Sequence, residues 1–249
     1  MEILVPTDDP GAFSEPTTKT KRKRKILKYI LYSALALAAI LMLLHLIWNR
    51  SGSNQWELAI DKDGVKVWTL KTSGSNLVKV KAATRIKSRL GGMVKLLEDL
   101  DSCAEADCYD AKVIQSIETL PGRYAAYVRF KFDIPGLKTQ DYVLFQEHYQ
   151  DPVSKKLEIN LMAAPSRIPW DECCVRITHL NNSWKITPLR NNELDIEFTQ
   201  DTDMEMPYFL VNFALTRGTY EILHGLQDIM NMEKYRNARG GYIQELAAD

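Results

Sequence analysis

The sequence predicts an α+β protein in which a curved antiparallel sheet wraps one long C-terminal helix, preceded by a single membrane-crossing helix. Three observations predict it. An apolar run of 23 residues, Ile26 to Trp48, stands near the N-terminus; six short strand-like segments crowd between residues 124 and 199; and a long apolar helical pattern follows from Pro207 to about Tyr235.

The apolar run comes first. As a helix it reaches about 34 Å, enough for a hydrocarbon core of ~30 Å, with Tyr29 and Trp48 placed for the two interfaces. Its only basic side chains, Lys28 and His45, lie near its ends. A cleaved signal peptide would carry an apolar region of roughly 7–15 residues before a small-residue cleavage site. Here Leu41-Met42-Leu43-Leu44 continues past the Ala-rich part, so residues 26–48 read as an uncleaved transmembrane anchor. Lys19 and the run Lys21-Arg22-Lys23-Arg24-Lys25 precede it, and only Arg50 follows before Lys62. The positive-inside rule then makes a single-pass protein, its N-terminus cytoplasmic and its domain exported. Residues 1–25, with Pro6, Pro10 and Pro16, read as a disordered basic tail, and residues 49–55, containing Ser51-Gly52-Ser53-Asn54, as a linker.

The remainder, residues 56–249, is long enough for one domain with a sizeable core. The chain holds 32 Lys+Arg and 32 Asp+Glu; 8 and 4 of these fall in residues 1–50, leaving 24 against 28 beyond. A mildly acidic domain lacks the basic stripe that a nucleic acid requires.

Trp56-Glu57-Leu58 and Val65-Lys66-Val67-Trp68 flank the turn signal Asp63-Gly64, and Leu77 to Thr84 alternates again. Between Ser88 and Leu100 the period changes: Leu90, Met93, Val94, Leu97 and Leu100 mark an amphipathic helix. A shorter second helix is expected over residues 107–116. Strands are expected at 124–132, 142–150, 156–163, 174–179, 183–187 and 193–199, separated by Pro, Gly and Asn turns. The last helix starts apolar on every side, Tyr208-Phe209-Leu210-Val211 then Phe213-Ala214-Leu215, which requires cover all round.

Cys103 and Cys108 lie in a short acidic segment, where either a disulfide in an oxidising compartment or a metal site can be read. The adjacent Cys173 and Cys174 read as free, partly buried thiols.

This order of elements resembles the helix-grip fold of the START lipid-transfer family, and so do particular residues. Trp56-Glu57-Leu58 with Asp63-Gly64-Val65-Lys66-Val67 resembles the family's opening, and Pro135 followed by Gln140-Asp141-Tyr142-Val143 its Pro-to-Arg-Asp signature. Val175-Arg176, Ser183-Trp184-Lys185 and Pro188 resemble its central strand pair; Thr199-Gln200-Asp201, Met206-Pro207 and Leu210-Val211-Asn212 resemble the entry to its last helix. The resemblance covers residues 56 to about 235. Gln140 stands where the family has Arg, and Asp201-Thr202-Asp203-Met204 lacks the customary Pro and Gly. The pairing of Cys103 with Cys108 is similar to exported bacterial members, which implies a periplasmic domain if the source is Gram-negative.

The resemblance implies binding and transfer of a hydrophobic ligand, a sterol, phospholipid or fatty-acyl lipid, without catalysis, cofactor or metal. Enclosing about 400 Å² of apolar surface is worth roughly 10 kcal/mol at ~25 cal/mol/Å², before association costs, so polar groups need only choose orientation. Alternation offers Val128, Phe130, Leu144, Gln146, Ile159, Leu161, Ile177, Ile196 and Phe198 on one face of the sheet, and the last helix offers Phe209, Asn212, Phe213, Thr216 and Tyr220. A register off by one would expose Arg129 and Glu147 instead. Gln146 occupies the place where sterol-carrying relatives have Arg, and suits a hydroxyl or ester. Arg167, Ile168, Pro169 and Trp170, between Ala163 and Cys174, resemble the family's lid loop.

Other chemistries find little support. His45, His148, His179 and His224 have no metal-ligand spacing, and no Gly-x-Ser-x-Gly or phosphate-cradling loop occurs. Asp201-x-Asp203-x-Glu205 opens like a calcium loop, but Met206 and Asn212 replace the required Gly and Glu. The alternative is a cyclase or aromatase on the same fold, whose acid or base would come from Tyr127, Arg129, His148 or Tyr220. A sensing role without transfer would need an output that the short tail does not offer.

Overall fold

The computed structural model describes residues 18–101, 103, 108–121, 123–239 and 241–246, in two compact units, 1–49 and 50–249. Helix α1, Thr18–Arg50, makes up the described part of the first unit and is long and apolar enough to cross a membrane. It contains the predicted span 26–48 and extends through the basic run, which the sequence had assigned to the tail. Lys and Arg are good helix formers, so the run prolongs the helix rather than ending it. The rest of the expected tail, residues 1–17, lies outside the described residues.

The second unit is a sheet with one long helix against it. The strands are β1 (Trp56–Lys62), β2 (Val65–Lys71), β3 (Val78–Lys87), β4 (Cys108–Ile117), β5 (Arg123–Phe132), β6 (Gln140–Gln150), β7 (Leu157–Ala163), β8 (Val175–Arg176), β9 (Asn181–Leu189) and β10 (Glu193–Gln200). The helices are α2 (Leu90–Glu98), α3 (Tyr208–Asn231) and α4 (Glu233–Arg236). The sheet runs β1-β2-β3-β10-β9-β7-β6-β5-β4, antiparallel throughout except that β8 joins β6 in parallel. Asp63 and Gly64 both have positive φ, 51° and 76°, the two-residue turn that matches the twist of a tight hairpin.

Three expectations change. The segment expected as a second short helix is the edge strand β4, from Cys108; residue 107 lies outside the described residues. Its hydrogen bonds to β5 outweigh a sequence of weak period, and as an edge strand it is mostly exposed, which removes the alternation that identifies a strand. The strand expected at 174–179 contracts to Val175–Arg176. Finally, α3 is not covered on all sides. Val211, Leu215, Thr219, Leu223, Leu226 and Met230 are buried on a face turned to β2 and β3, whereas Phe209, Leu210 and Phe213 are exposed.

Strand register gives the sheet two ends. At one, Leu144 pairs with Ala163, Phe132 with Gln140 and Val80 with Gln200, so the β2–β3 turn, the 163–174 loop and the start of α3 gather there. At the other, Gln150 pairs with Leu157 and Lys87 with Glu193. There the C-terminal segment is tied down: Gln244 exchanges hydrogen bonds with the Gln150 side chain at 2.7 Å each way, and the Glu245 carboxylate accepts from Leu90 N and Gly91 N at the start of α2. The first is called the lid end, after the loop expected to act as a lid, and the second the tail end.

Candidate functional site

Toward the lid end, β5, β6, β7, β9, β10 and α3 line an open-sided apolar cavity of about 300 Å³. Phe130 and Phe132 come from β5, Tyr142 and Leu144 from β6, Leu161 from β7. Leu180, Asn182 and Trp184 line it from β9 and just before, Phe198 and Gln200 from β10, Thr202 and Met204 from the following loop, and Leu215 from α3. The Phe130 and Tyr142 rings stack at 4.9 Å, and Trp184 on Phe198 at 3.9 Å. Period-two alternation makes this wall: Phe130 and Phe132, Tyr142 and Leu144, Phe198 and Gln200 each stand two residues apart. A larger hollow of about 470 Å³ lies at the tail end, but Arg89, Arg190, Asn191, Asn192, Glu193 and Glu245 among its walls suit water better than hydrocarbon.

The polar groups around the apolar cavity are engaged with one another. Tyr142 Oη donates to Gln140 Oε1 at 2.7 Å and Gln140 Nε2 to Met204 O at 2.6 Å, while Thr202 Oγ1 donates to Asn182 Oδ1 at 2.9 Å. Burial pushes the Tyr142 phenol well above its ordinary pKa, so it remains a neutral donor.

Beside the cavity an ionic cluster ties down the 163–174 loop, the one expected to act as a lid. Asp141, 1% exposed, accepts from Arg129 Nε at 2.8 Å and Arg176 Nε at 2.9 Å. Arg176 also donates to the carbonyls of Pro165 (2.6 Å) and Pro169 (3.0 Å), and its guanidinium lies over the Trp170 ring at 5.6 Å. Asp171 accepts from Lys131 Nζ at 2.9 Å and Arg129 at 3.2 Å. Arg167 bonds Gln115 and covers Tyr127 at 4.4 Å. Trp170 itself is 62% exposed and does not cap the core.

The Lys131 ammonium, followed by the Cys173 N–H, holds the Asp171 carboxyl below its ordinary pKa. Because the folded value is the lower one, its contribution is complete above the unfolded carboxylate pKa of about 3.9 and is lost as pH falls through the folded value. Relative to the intrinsic exchange rate at each pH, the protection of the backbone amides in residues 166–174 is therefore expected to fall below about pH 4. Asp171→Asn should exchange fast at neutral pH already and lose most of that acid dependence; an unchanged acid profile in the variant would refute the assignment.

Cys103 and Cys108 are joined by a disulfide, and so are Cys173 and Cys174, which the sequence reading had taken as free thiols. The Asp171–Cys174 turn, closed by Cys174 N donating to Asp171 O at 3.2 Å, sets the two neighbours so that their sulfurs meet. Asp171, Cys173 and Cys174 cluster closely enough to suggest metal ligands, but bonded sulfurs are not thiolate donors.

Of the residues proposed from sequence, Phe130, Leu144, Leu161 and Phe198 line the cavity. Val128, Ile159, Ile177 and Ile196 share its side of the sheet but are packed core, 6% exposed or less. Gln146 is buried nearer the tail end: its Nε2 meets His148 Nε2 at 2.5 Å, His148 Nδ1 meets Tyr242 Oη, and Tyr242 donates to Glu98 at 2.6 Å. It is therefore outside the cavity wall. Asn212 fastens α3 to β3, accepting from Val78 N at 3.0 Å, and Thr216 Oγ1 donates to Asn212 O at 2.8 Å. Tyr220 donates to Asp63 at 2.8 Å, and Phe209 and Phe213 face outward. The sequence reading missed Phe132, Tyr142, Leu180, Asn182, Trp184, Gln200, Thr202, Met204 and Leu215. Phe132, Tyr142 and Gln200 were available by extending the alternation one step.

No family model matches the chain. An uncharacterized protein of Pseudomonas aeruginosa is 25% identical over 179 residues, 70% of this chain and 86% of that protein. Among solved structures, a STAR-related lipid transfer protein from Xanthomonas axonopodis superposes with a TM-score of 0.61 at 19% identity, covering 71% of this chain and 99% of that one. The lipid transfer and protein localization domain of human StarD13 gives 0.59 at 11% identity, over 80% and 96%. Human StAR-related lipid transfer protein 5 gives 0.57 at 14% identity, over 80% and 96%. Residues 50–249, a sheet gripping one long C-terminal helix, thus have the helix-grip fold of the STAR-related lipid-transfer (START) domains.

Proposed function

We propose that the protein binds an apolar lipid in the cavity between the sheet and α3 and exchanges it with the membrane that α1 spans, making and breaking no bond. The observation that carries this reading is the cavity itself, walled by aromatic and aliphatic side chains whose few polar neighbours are already paired. Its volume, at the low end of small-ligand sites, favours a compact ligand or a single chain. The START-fold neighbours named for lipid transfer support the same reading. The candidate acids and bases are committed elsewhere: Arg129 to Asp141, His148 to Gln146 and Tyr242, Tyr220 to Asp63, and Tyr127 beneath Arg167. The lid loop, held by Arg176, is the natural gate. The basic residues before the apolar helix favour a cytoplasmic N-terminus, and the two disulfides support a domain exported to an oxidising compartment.

Mass spectrometry of organic extracts from the purified 50–249 unit tests this. About one mole of a single lipid class per mole of protein is expected. A lipid-free domain that also fails to take up sterol, acyl-chain and phospholipid probes would overturn the proposal.

A further inference from the structure

The Cys173–Cys174 bridge stands at the joint between the 163–174 loop and the sheet. On one side of it Asp171 anchors the loop to Lys131 and Arg129; on the other Val175 N donates to Thr139 O at 2.8 Å, where β8 begins. A disulfide that staples a fold restricts the unfolded chain, and does so more the longer the loop it closes. Neighbouring residues close no loop, so this bridge adds little to the stability of the fold.

Its surroundings suit exchange instead. Cys173 is exposed and Cys174 half-buried, whereas Cys103 and Cys108 are both half-buried. The Lys131 ammonium lies 3.8 Å from Cys173 Sγ, where it favours a thiolate over a thiol. Exchange is fast when the attacked bond is accessible and the departing sulfur is a stable anion. The exposed bridge beside Lys131 meets both conditions.

We propose that Cys173–Cys174 is a reversible thiol–disulfide exchange site for a dithiol, and that its reduction loosens the 163–174 loop. The incoming thiolate attacks Cys174 Sγ, forming a mixed disulfide there and breaking the bond to Cys173, which leaves as a thiolate beside Lys131. The second thiol of the reductant, as its thiolate, then attacks the incoming sulfur and releases Cys174. The dithiol ends as a disulfide, oxidised by two electrons, and its two protons pass to Cys174 and to solvent. The product changes the loop's anchor. Lys131 already serves Asp171 at 2.9 Å and Asp110 at 3.8 Å, and a Cys173 thiolate is a third anion on the same ammonium. It also stands beside the Asp171 carboxylate, which accepts from Cys173 N at 3.4 Å. Like charges at that range repel, so the Asp171–Lys131 contact weakens. The 163–174 loop is the gate of the lipid-exchange reading, and faster lipid exchange after reduction is the one consequence that rests on it.

The test treats the full chain in detergent micelles with graded dithiothreitol at pH 7, quenches with iodoacetamide and maps each cysteine by peptide mass spectrometry. Cys173–Cys174 is expected to open at least tenfold faster than Cys103–Cys108, with amide protection in residues 166–174 falling at least fivefold as it opens. Lys131→Gln should slow the opening at least threefold, and Lys131→Arg, which keeps the charge, should not. The double variant Cys173→Ser, Cys174→Ser should show no response of that protection to dithiothreitol. Equal opening of the two bridges, unchanged protection once Cys173–Cys174 is open, unslowed opening in Lys131→Gln, or a response in the double serine variant would each overturn the proposal. A fluorescent acyl-chain probe separates the two readings. If the loop loosens on reduction but the probe binds in neither redox state, the exchange site stands and the lipid reading falls. If the probe binds and protection is the same before and after reduction, the lipid reading stands and the exchange site falls.

Discussion

Asp141→Ala is expected to destabilise the domain by about 3–5 kcal/mol, the cost of removing one partner from a buried ion pair. Asp141 is 1% exposed and Arg176 2%, so the guanidinium left behind cannot recover its loss by hydration. Arg129 retains Asp171, but Arg176 would keep only the lid carbonyls and the Trp170 ring. Against a typical folding stability of 5–15 kcal/mol this is a large fraction. The urea midpoint should fall accordingly, with hydrogen exchange of residues 165–170 rising in the same variant because their carbonyls depend on Arg176. Asp141→Asn, which keeps one acceptor oxygen, should lose less. A midpoint shift equivalent to under about 1 kcal/mol for the alanine variant, the scale of an exposed pair, would show that the cluster is effectively solvated.

The second large effect is on ligand occupancy rather than stability. Leu161→Trp places an indole in the cavity wall and is expected to reduce co-purifying lipid at least tenfold while leaving the melting temperature unchanged or raised. If no open volume existed there, the same change would overpack the core and cost about 1–3 kcal/mol. Ile159→Ala is the counterpart. Ile159 lies two residues earlier on the same face of β7 but is fully buried in packed core, so truncation should cost about 2–5 kcal/mol and leave the lipid content of the folded protein intact. Equal lipid loss in both variants would mean that lipid binding simply follows stability.

These two neighbours also show how far the sequence could be read. Alternation correctly groups Ile159 with Leu161, because period two decides which face a side chain takes. It does not decide depth along the strand. That depends on what lies opposite: the pairing of Leu161 with Gln146 and of Ile159 with His148, and the place where α3 crosses. Gln146 shows the same limit, since its network partners Tyr242 and Glu98 lie 96 and 48 residues away and no local pattern announces them. The turn at Asp63-Gly64, the amphipathic α2 and the long α3 were legible because each rests on local chemistry. β4 was not, being an exposed edge strand held by its partner. The apolar start of α3 was read as needing protein on every side, whereas only the face turned to β2 and β3 is covered and Phe209, Leu210 and Phe213 are exposed.

The strand order has a consequence for how the domain is made. β3 pairs along its length with β10, so residues 80–87 find their partner only at 193–200. At about 5–20 residues per second of synthesis, more than a hundred intervening residues take roughly 5–20 s to emerge. For that interval the β1–β3 ribbon has an open edge, and closure of the sheet is a high-contact-order event of the kind that folds slowly. The basic residues of β3, Lys79, Lys81, Arg85 and Lys87, are well placed to keep that waiting edge from recruiting a neighbouring nascent chain.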